Sequence, residues 1–203
     1  MSVHTVRGSL LDVSLGASAP ATLVPAVRVA AVALAVALTA TAAQFTVALP
    51  FTAVPFTLTP LVVMLTGAAL GSRLGAAAQL AYLAAGIAGL QVFAPSLILP
   101  PGAARLLGPT GGYLVAYPAA AFVVGRLAER GWDRTFVSSV AAMLAGLAVI
   151  YAGGLTWMLA YTRSLEAAFA QGILPFVIAD IAKAVMAAAL LPQAWRLLST
   201  PKG

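Results

Sequence analysis

The sequence has no cysteine, a single histidine and few charges, with 11 Lys plus Arg and 5 Asp plus Glu among 203 residues. The absence of cysteine excludes disulfides, thiolate metal sites and thiol nucleophiles, and leaves the redox compartment undetermined. His4 stands alone in a polar amino-terminal tail, and no helical His-Glu-x-x-His metal pattern or Gly-x-Ser-x-Gly elbow occurs. Enzyme readings therefore have no nucleophile and base to rest on. No phosphate-binding loop is present either, so any ATP that drives this protein is hydrolysed on another subunit. The nine arginines and two lysines give a formal charge of +6, but they are scattered singly. Nucleic-acid binding needs a clustered basic face, and the chain has none.

Apolar residues fill the space that charges leave. The chain is 62% hydrophobic and 8% charged, with a mean hydropathy of +1.02, whereas soluble domains carry roughly 25% charged residues. At ~20 apolar residues per membrane span, this length fits an all-α integral membrane protein in a lipid bilayer, with no room for a soluble catalytic domain. Six apolar stretches are separable by charges, Pro and Gly. They run from about Val27 to Thr46, Pro60 to Leu70, Leu74 to Leu90, Gly112 to Leu127, Phe136 to Tyr161, and Gly172 to Leu198. The organisation is thus a tail over 1–25, flexible or carrying a short surface helix around Leu10 to Leu15, a six-helix membrane domain over 26–198, and a cytoplasmic tail over 199–203. The tail lacks the pattern of a cleaved signal peptide.

Two Pro-rich connections, Thr46 to Thr59 and Gln91 to Gly111, interrupt the apolar pattern. Lipid offers no hydrogen-bond partner to non-helical backbone, so these segments must fold over or into one end of the bundle. They are candidate lids over a cavity. Six spans place both termini on one side, together with Arg7, Arg28, Arg73, Arg126, Arg130, Arg134, Arg196 and Lys202. Arg105 and Arg163 fall on the other. This bias predicts cytoplasmic termini and extracellular lids.

Asp180 and Lys183 lie inside the sixth stretch. A charge at bilayer depth costs at least ~2.5 kcal/mol, so something must compensate. Residues three apart share a helix face, which allows a neutral pair pointing into the bundle. The pair offers an anionic acceptor and a cationic donor, suited to a solute with both N–H and C=O groups. Two other roles are open: an ion pair that only locks packing, or a proton-coupled secondary transporter with Asp180 as the carrier. Arg105, the charged residue of the long third connection, suits carboxylate capture or simple solvation. Trp157, Tyr161, Tyr113, Tyr117 and Tyr151 could stack on a flat solute or belong to interfacial belts. Gln91 and Thr57, polar groups at loop and span junctions, are candidate donors to the solute. On the first helix, Ala31 with Ala35 and Ala33 with Ala37 offer small-residue spacing for close helix approach.

Several of these residues fall in blocks that resemble one family. The blocks are Val54-Pro55-Phe56-Thr57-Leu58, Gly67-Ala68-Ala69-Leu70-Gly71, Gly86-Ile87-Ala88-Gly89-Leu90-Gln91-Val92-Phe93-Ala94, Gly108-Pro109-Thr110-Gly111-Gly112-Tyr113 and Asp180-Ile181-Ala182-Lys183. In this order, from about residue 45 to 190, they resemble the BioY family, the biotin-binding membrane subunits of energy-coupling-factor (ECF) transporters. The resemblance implies a six-helix subunit in a prokaryotic inner membrane that captures biotin from outside. Its implied partners are a transmembrane coupling subunit and two cytoplasmic ATPases, with no cofactor and no metal. It assigns Asp180 and Lys183 to the biotin head and Arg105 to the carboxylate tail. It assigns Ala31, Ala33, Ala35 and Ala37 to the coupling-subunit contact. Thr59 and Gln91 depart from the Gln and Pro common in the family at those positions.

Overall fold

The computed structural model describes residues 8–18, 20–96 and 99–199. His4, Arg7 and Lys202 lie outside them, as does the tail beyond Ser199. Among the described residues the fold is helical: α1 (Leu10–Ser18), α2 (Val24–Gln44), α3 (Thr59–Leu70), α4 (Ser72–Ile87), α5 (Ala104–Leu107), α6 (Gly111–Ala128), α7 (Phe136–Thr162), α8 (Leu165–Gly172) and α9 (Val177–Ser199). The first Pro-rich connection is not all loop but adds a small antiparallel ladder. In it β1 (Thr46–Val47) pairs with β2 (Phe56–Thr57).

Among the described residues, four helices are long and apolar enough to cross a membrane: α2, α6, α7 and α9. At 1.5 Å per residue, the 21 residues of α2 reach about 32 Å, the thickness of a hydrocarbon core. The second and third apolar stretches form shorter helices, 12 residues in α3 and 16 in α4. The sixth stretch starts later than expected. Residues 173–176 form a turn that contains Pro175, Gly172 closes the separate helix α8, and α9 begins only at Val177. A Pro disfavours helical backbone in the residue before it, which accounts for the break.

Helix α6 is the central element, packed against α3, α4 and α7. Small residues make this possible. A Cβ on Gly67 of α3 would strike the carbonyl oxygen of Ala121, and one on Gly125 of α6 would strike the backbone of Gly71 and Ser72. Between α3 and α4 the chain turns through Gly71 at φ +83°, a conformation that a side chain disfavours. Glu129 then accepts from both the backbone N and the Oγ of Ser72 at 2.7 Å, capping the exposed N–H end of α4.

The core divides along the helices. One half, built on Met64, Ala68, Val124, Met143, Ala187 and Leu191, is closely packed by small and flexible side chains. The other is aromatic, with Tyr82, Phe93, Tyr113, Tyr117 and Phe176, and contains the cavity. At the packed end, α1 is held in place instead of hanging free. Ser9 and Asp12 cap each other reciprocally, with Ser9 Oγ donating to Asp12 Oδ2 at 2.8 Å and Ser9 Oγ accepting from the Asp12 N–H at 3.2 Å. Arg28 bonds Asp12 at 3.2 Å, and Arg134 donates to the Gly8 carbonyl at 3.4 Å. Buried Asp133 accepts from Trp195 Nε1 at 2.7 Å and from Arg134 Nε at 3.1 Å, while the Arg134 guanidinium lies over the Trp195 ring. Burial pushes the Asp133 carboxyl up from its ordinary value despite both partners.

Candidate functional site

Helix α9 places Asp180 and Lys183 three residues apart on one face, as the spacing requires. Lys183 Nζ donates to Asp180 Oδ1 at 2.7 Å, and the two residues are 5% and 6% exposed. The pair is not alone. Tyr151, on α7, donates its phenol to Asp180 Oδ2 at 2.7 Å. The Thr57 carbonyl at the end of β2 accepts from Lys183 Nζ at 2.7 Å. The Phe56 ring lies 3.7 Å from the same ammonium, a cation–π contact worth more when water is excluded. The carboxylate and the ammonium each therefore have at least two partners, as buried charges require.

These groups border a cavity of about 310 Å³. Tyr82, Tyr113, Tyr117, Ile150 and Phe176 give it aromatic and apolar walls, while residues of both Pro-rich connections, from Thr46 to Thr59 and from Phe93 to Thr110, complete its border. An apolar pocket with a few fixed polar groups is the usual form of a small-molecule site. Arg105 borders the same space from α5. Its side chain is oriented by two carbonyls, Ala94 O at 2.9 Å from Nη1 and Pro100 O at 3.1 Å from Nε. Burial pulls the pKa of its guanidinium below the ordinary value, a shift that leaves arginine charged at neutral pH.

The other sequence candidates take different places. Thr57 contributes its carbonyl to Lys183, while its hydroxyl accepts from the Thr59 N–H at 3.4 Å. Tyr113 lines the cavity and donates to the Gly172 carbonyl at 2.6 Å, tying α6 to the end of α8. Thr59, one of the departures from the family pattern, is buried at the cavity wall. Gln91 is exposed and borders a second, smaller chamber instead of the one that holds Asp180. Its carbonyl accepts from Gln44 Nε2 at 3.3 Å. The four alanines of α2 divide between two faces. Ala35 is 4% exposed and packs inside this chain, whereas Ala33 and Ala37 lie outward with the exposed Leu34 and Leu38. A helix turns about 100° per residue, so positions two apart fall on opposite faces.

Tyr151, one of the five aromatics that fit either a solute stack or an interfacial belt, is in the structure the partner of Asp180. Nothing local to it marks its role, because its partner is 29 residues away on another helix. The order of the third connection likewise depends on a distant contact. Trp157 Nε1 donates to the Gly108 carbonyl at 2.8 Å, and a Cβ at Gly112 would collide with the Trp157 side chain.

The fold and cavity define a helical integral membrane protein built around an internal chamber with a charged pair in its wall. Residues 16–200 match the model of the BioY family, and the chain belongs to that family. It is 40% identical over 126 residues to the biotin transporter BioY of Thermotoga maritima, covering 62% of this chain and 72% of that protein. It is 36% identical over 142 residues to the biotin transporter BioY of Rhizobium etli, covering 64% and 72%. A crystal structure of the S-component for biotin from an ECF-type ABC transporter superposes with a TM-score of 0.75 at 23% identity. The match covers 87% of this chain and 93% of that one, and it shows a shared fold.

Proposed function

We propose that this protein is a biotin-binding membrane subunit that mediates biotin uptake and is energised by ATP hydrolysis in partner ECF subunits. The observation that carries this reading is the buried Asp180–Lys183 pair at 2.7 Å in the cavity wall. Biotin presents a cyclic urea at one end of an apolar ring and chain. Asp180 accepts from a urea N–H, Lys183 donates to the urea carbonyl, and the apolar walls take the ring. Arg105 meets the carboxylate. Charge-assisted bonds of this kind are strong only where water is excluded, which assigns the two Pro-rich connections the role of lids. The relatives' names support the substrate.

In the membrane, α2, α3, α4, α6, α7 and α9 form six spans, with α3 and α4 shielded by the longer helices around them. The termini face the cytoplasm and the lids face outward. The outward face of α2 around Ala33 and Ala37 meets the transmembrane coupling subunit, which links to two cytoplasmic ATPases. The chain has no catalytic role of its own. Equilibrium binding of radiolabelled biotin to the purified protein tests the substrate, with Asp180→Asn, Lys183→Ala and Arg105→Ala as variants. Loss of binding in the first two and weakening in the third is the expected result, and unchanged affinity in all three would refute the site.

A further inference from the structure

A second chamber of about 240 Å³ adjoins the first. The two share Phe93, Pro95, Ser96, Leu99 and Arg105 as lining, but Asp180 and Lys183 border only the inner one. Gln44, Leu90, Gln91 and Pro101 border only the outer one, and all four are exposed. Along the route through the shared residues, Arg105 stands between the chamber of the charged pair and a solvent-facing rim. On the functional reading above, on which this inference rests, the carboxylate of biotin ends at the boundary between the chambers and not against a closed wall.

We infer that the site also accepts biotin extended at its carboxylate, that is, amide conjugates of the Nε-biotinyl-lysine type, with the added chain seated in the outer chamber. Arg105 has the chemistry for either ligand. Guanidinium carries five N–H donors, and two are committed to Pro100 and Ala94. The remaining donors can meet an amide carbonyl as they would a carboxylate oxygen, with one charge-assisted contact exchanged for a weaker one. The rim supplies polar groups for an amino-acid end. Gln44 spends its amide nitrogen on the carbonyls of Ala40, Gln91 and Phe93, each at 3.3 Å. Its own side-chain carbonyl remains as an acceptor for an ammonium or amide N–H.

The test is displacement of radiolabelled biotin from the purified full-length protein by unlabelled biotin, biotinamide and Nε-biotinyl-lysine. Both amides are expected to displace it, about 10- to 100-fold more weakly than biotin, as the loss of one charged contact predicts. Leu90→Trp, at an outer-chamber position 60% exposed that does not border the chamber of the charged pair, should weaken Nε-biotinyl-lysine about tenfold or more while biotin and biotinamide stay within about twofold. Arg105→Ala should narrow the gap between biotin and its amides, because only the acid loses an ionic partner. Biotin binding without displacement by Nε-biotinyl-lysine at about 10⁴-fold excess would overturn this inference alone. A Leu90→Trp effect equal for all three ligands would also overturn it. Failure of biotin itself to bind would overturn the functional reading and this inference together.

Discussion

The phenol of Tyr151 on α7 donates to Oδ2 of Asp180 on α9 at 2.7 Å, while Lys183 holds Oδ1 of the same carboxylate. The carboxylate is thus fixed from two helices, with its plane and rotamer set before a ligand arrives. A site with this preorganisation loses less conformational entropy on binding. Tyr151→Phe removes one hydroxyl and leaves the ring. A hydrogen bond to a charged group is worth about 1.5–3 kcal/mol of stability, so the variant is expected to lose about that much stability, and biotin affinity to fall with the lost preorganisation. In a double-mutant cycle with Asp180→Asn, read as thermal stability because that variant is not expected to bind biotin, the two losses should fall well short of additive. Full additivity would mean that Tyr151 acts independently of Asp180.

Breaking the ion pair should affect stability and binding differently. Lys183→Met strands a buried carboxylate and is expected to cost about 3–5 kcal/mol of stability, whereas replacing both charges with apolar residues of similar volume is often neutral. The double variant Asp180→Leu/Lys183→Met should therefore regain most of the thermal stability of the parent in detergent. It should not regain biotin binding. Thermal unfolding and ligand binding on the same samples check both halves.

The two faces of α2 give opposite expectations. Tryptophan at Ala33 or Ala37, on the outward face, should leave biotin affinity unchanged and reduce co-purification with the coupling subunit. Ala35→Leu, by contrast, enlarges a fully packed position and should cost about 1–3 kcal/mol of the chain's own stability. A partner effect from Ala35→Leu with no loss of stability would reverse this assignment.

Glu129 gives a pH signature away from the cavity. Partial burial raises its pKa, but the two bonds from Ser72 and the contact with Arg126 outweigh that and hold it below its ordinary value of 4.5. A lowered folded-state pKa means that its contribution is present above about pH 4.5 and is lost as pH falls through the folded value. Glu129→Gln should consequently lower the melting temperature at pH 7. The gap to the parent should close as the pH is taken below 4.5, read by thermal unfolding across a pH series.

Energisation is tested in vesicles made with and without the ATPase partners. Uptake should require ATP and the partner subunits and should survive a protonophore. Uptake that needs no ATPase but collapses with the protonophore would favour a proton-coupled carrier using Asp180.

Local pattern made part of this protein legible without its structure. A chain with 8% charge and this many apolar residues has no folded form in water that hides them, so the membrane follows from composition. The acid and base at 180 and 183 share a helix face because helical periodicity is local, and their cost in lipid forces a pairing. The departures were equally physical. Proline spacing placed the two connections, but not the hairpin or α5 within them, since those rest on contacts between distant segments. Tertiary structure alone decided that Tyr151 completes the Asp180 site, that a carbonyl 126 residues distant holds Lys183, and that two of four similar alanines face outward. Each depends on how closely helices approach one another. That distance is set by glycines such as Gly67 and Gly125 meeting backbone on a neighbouring helix, a relation that no spacing along one segment encodes.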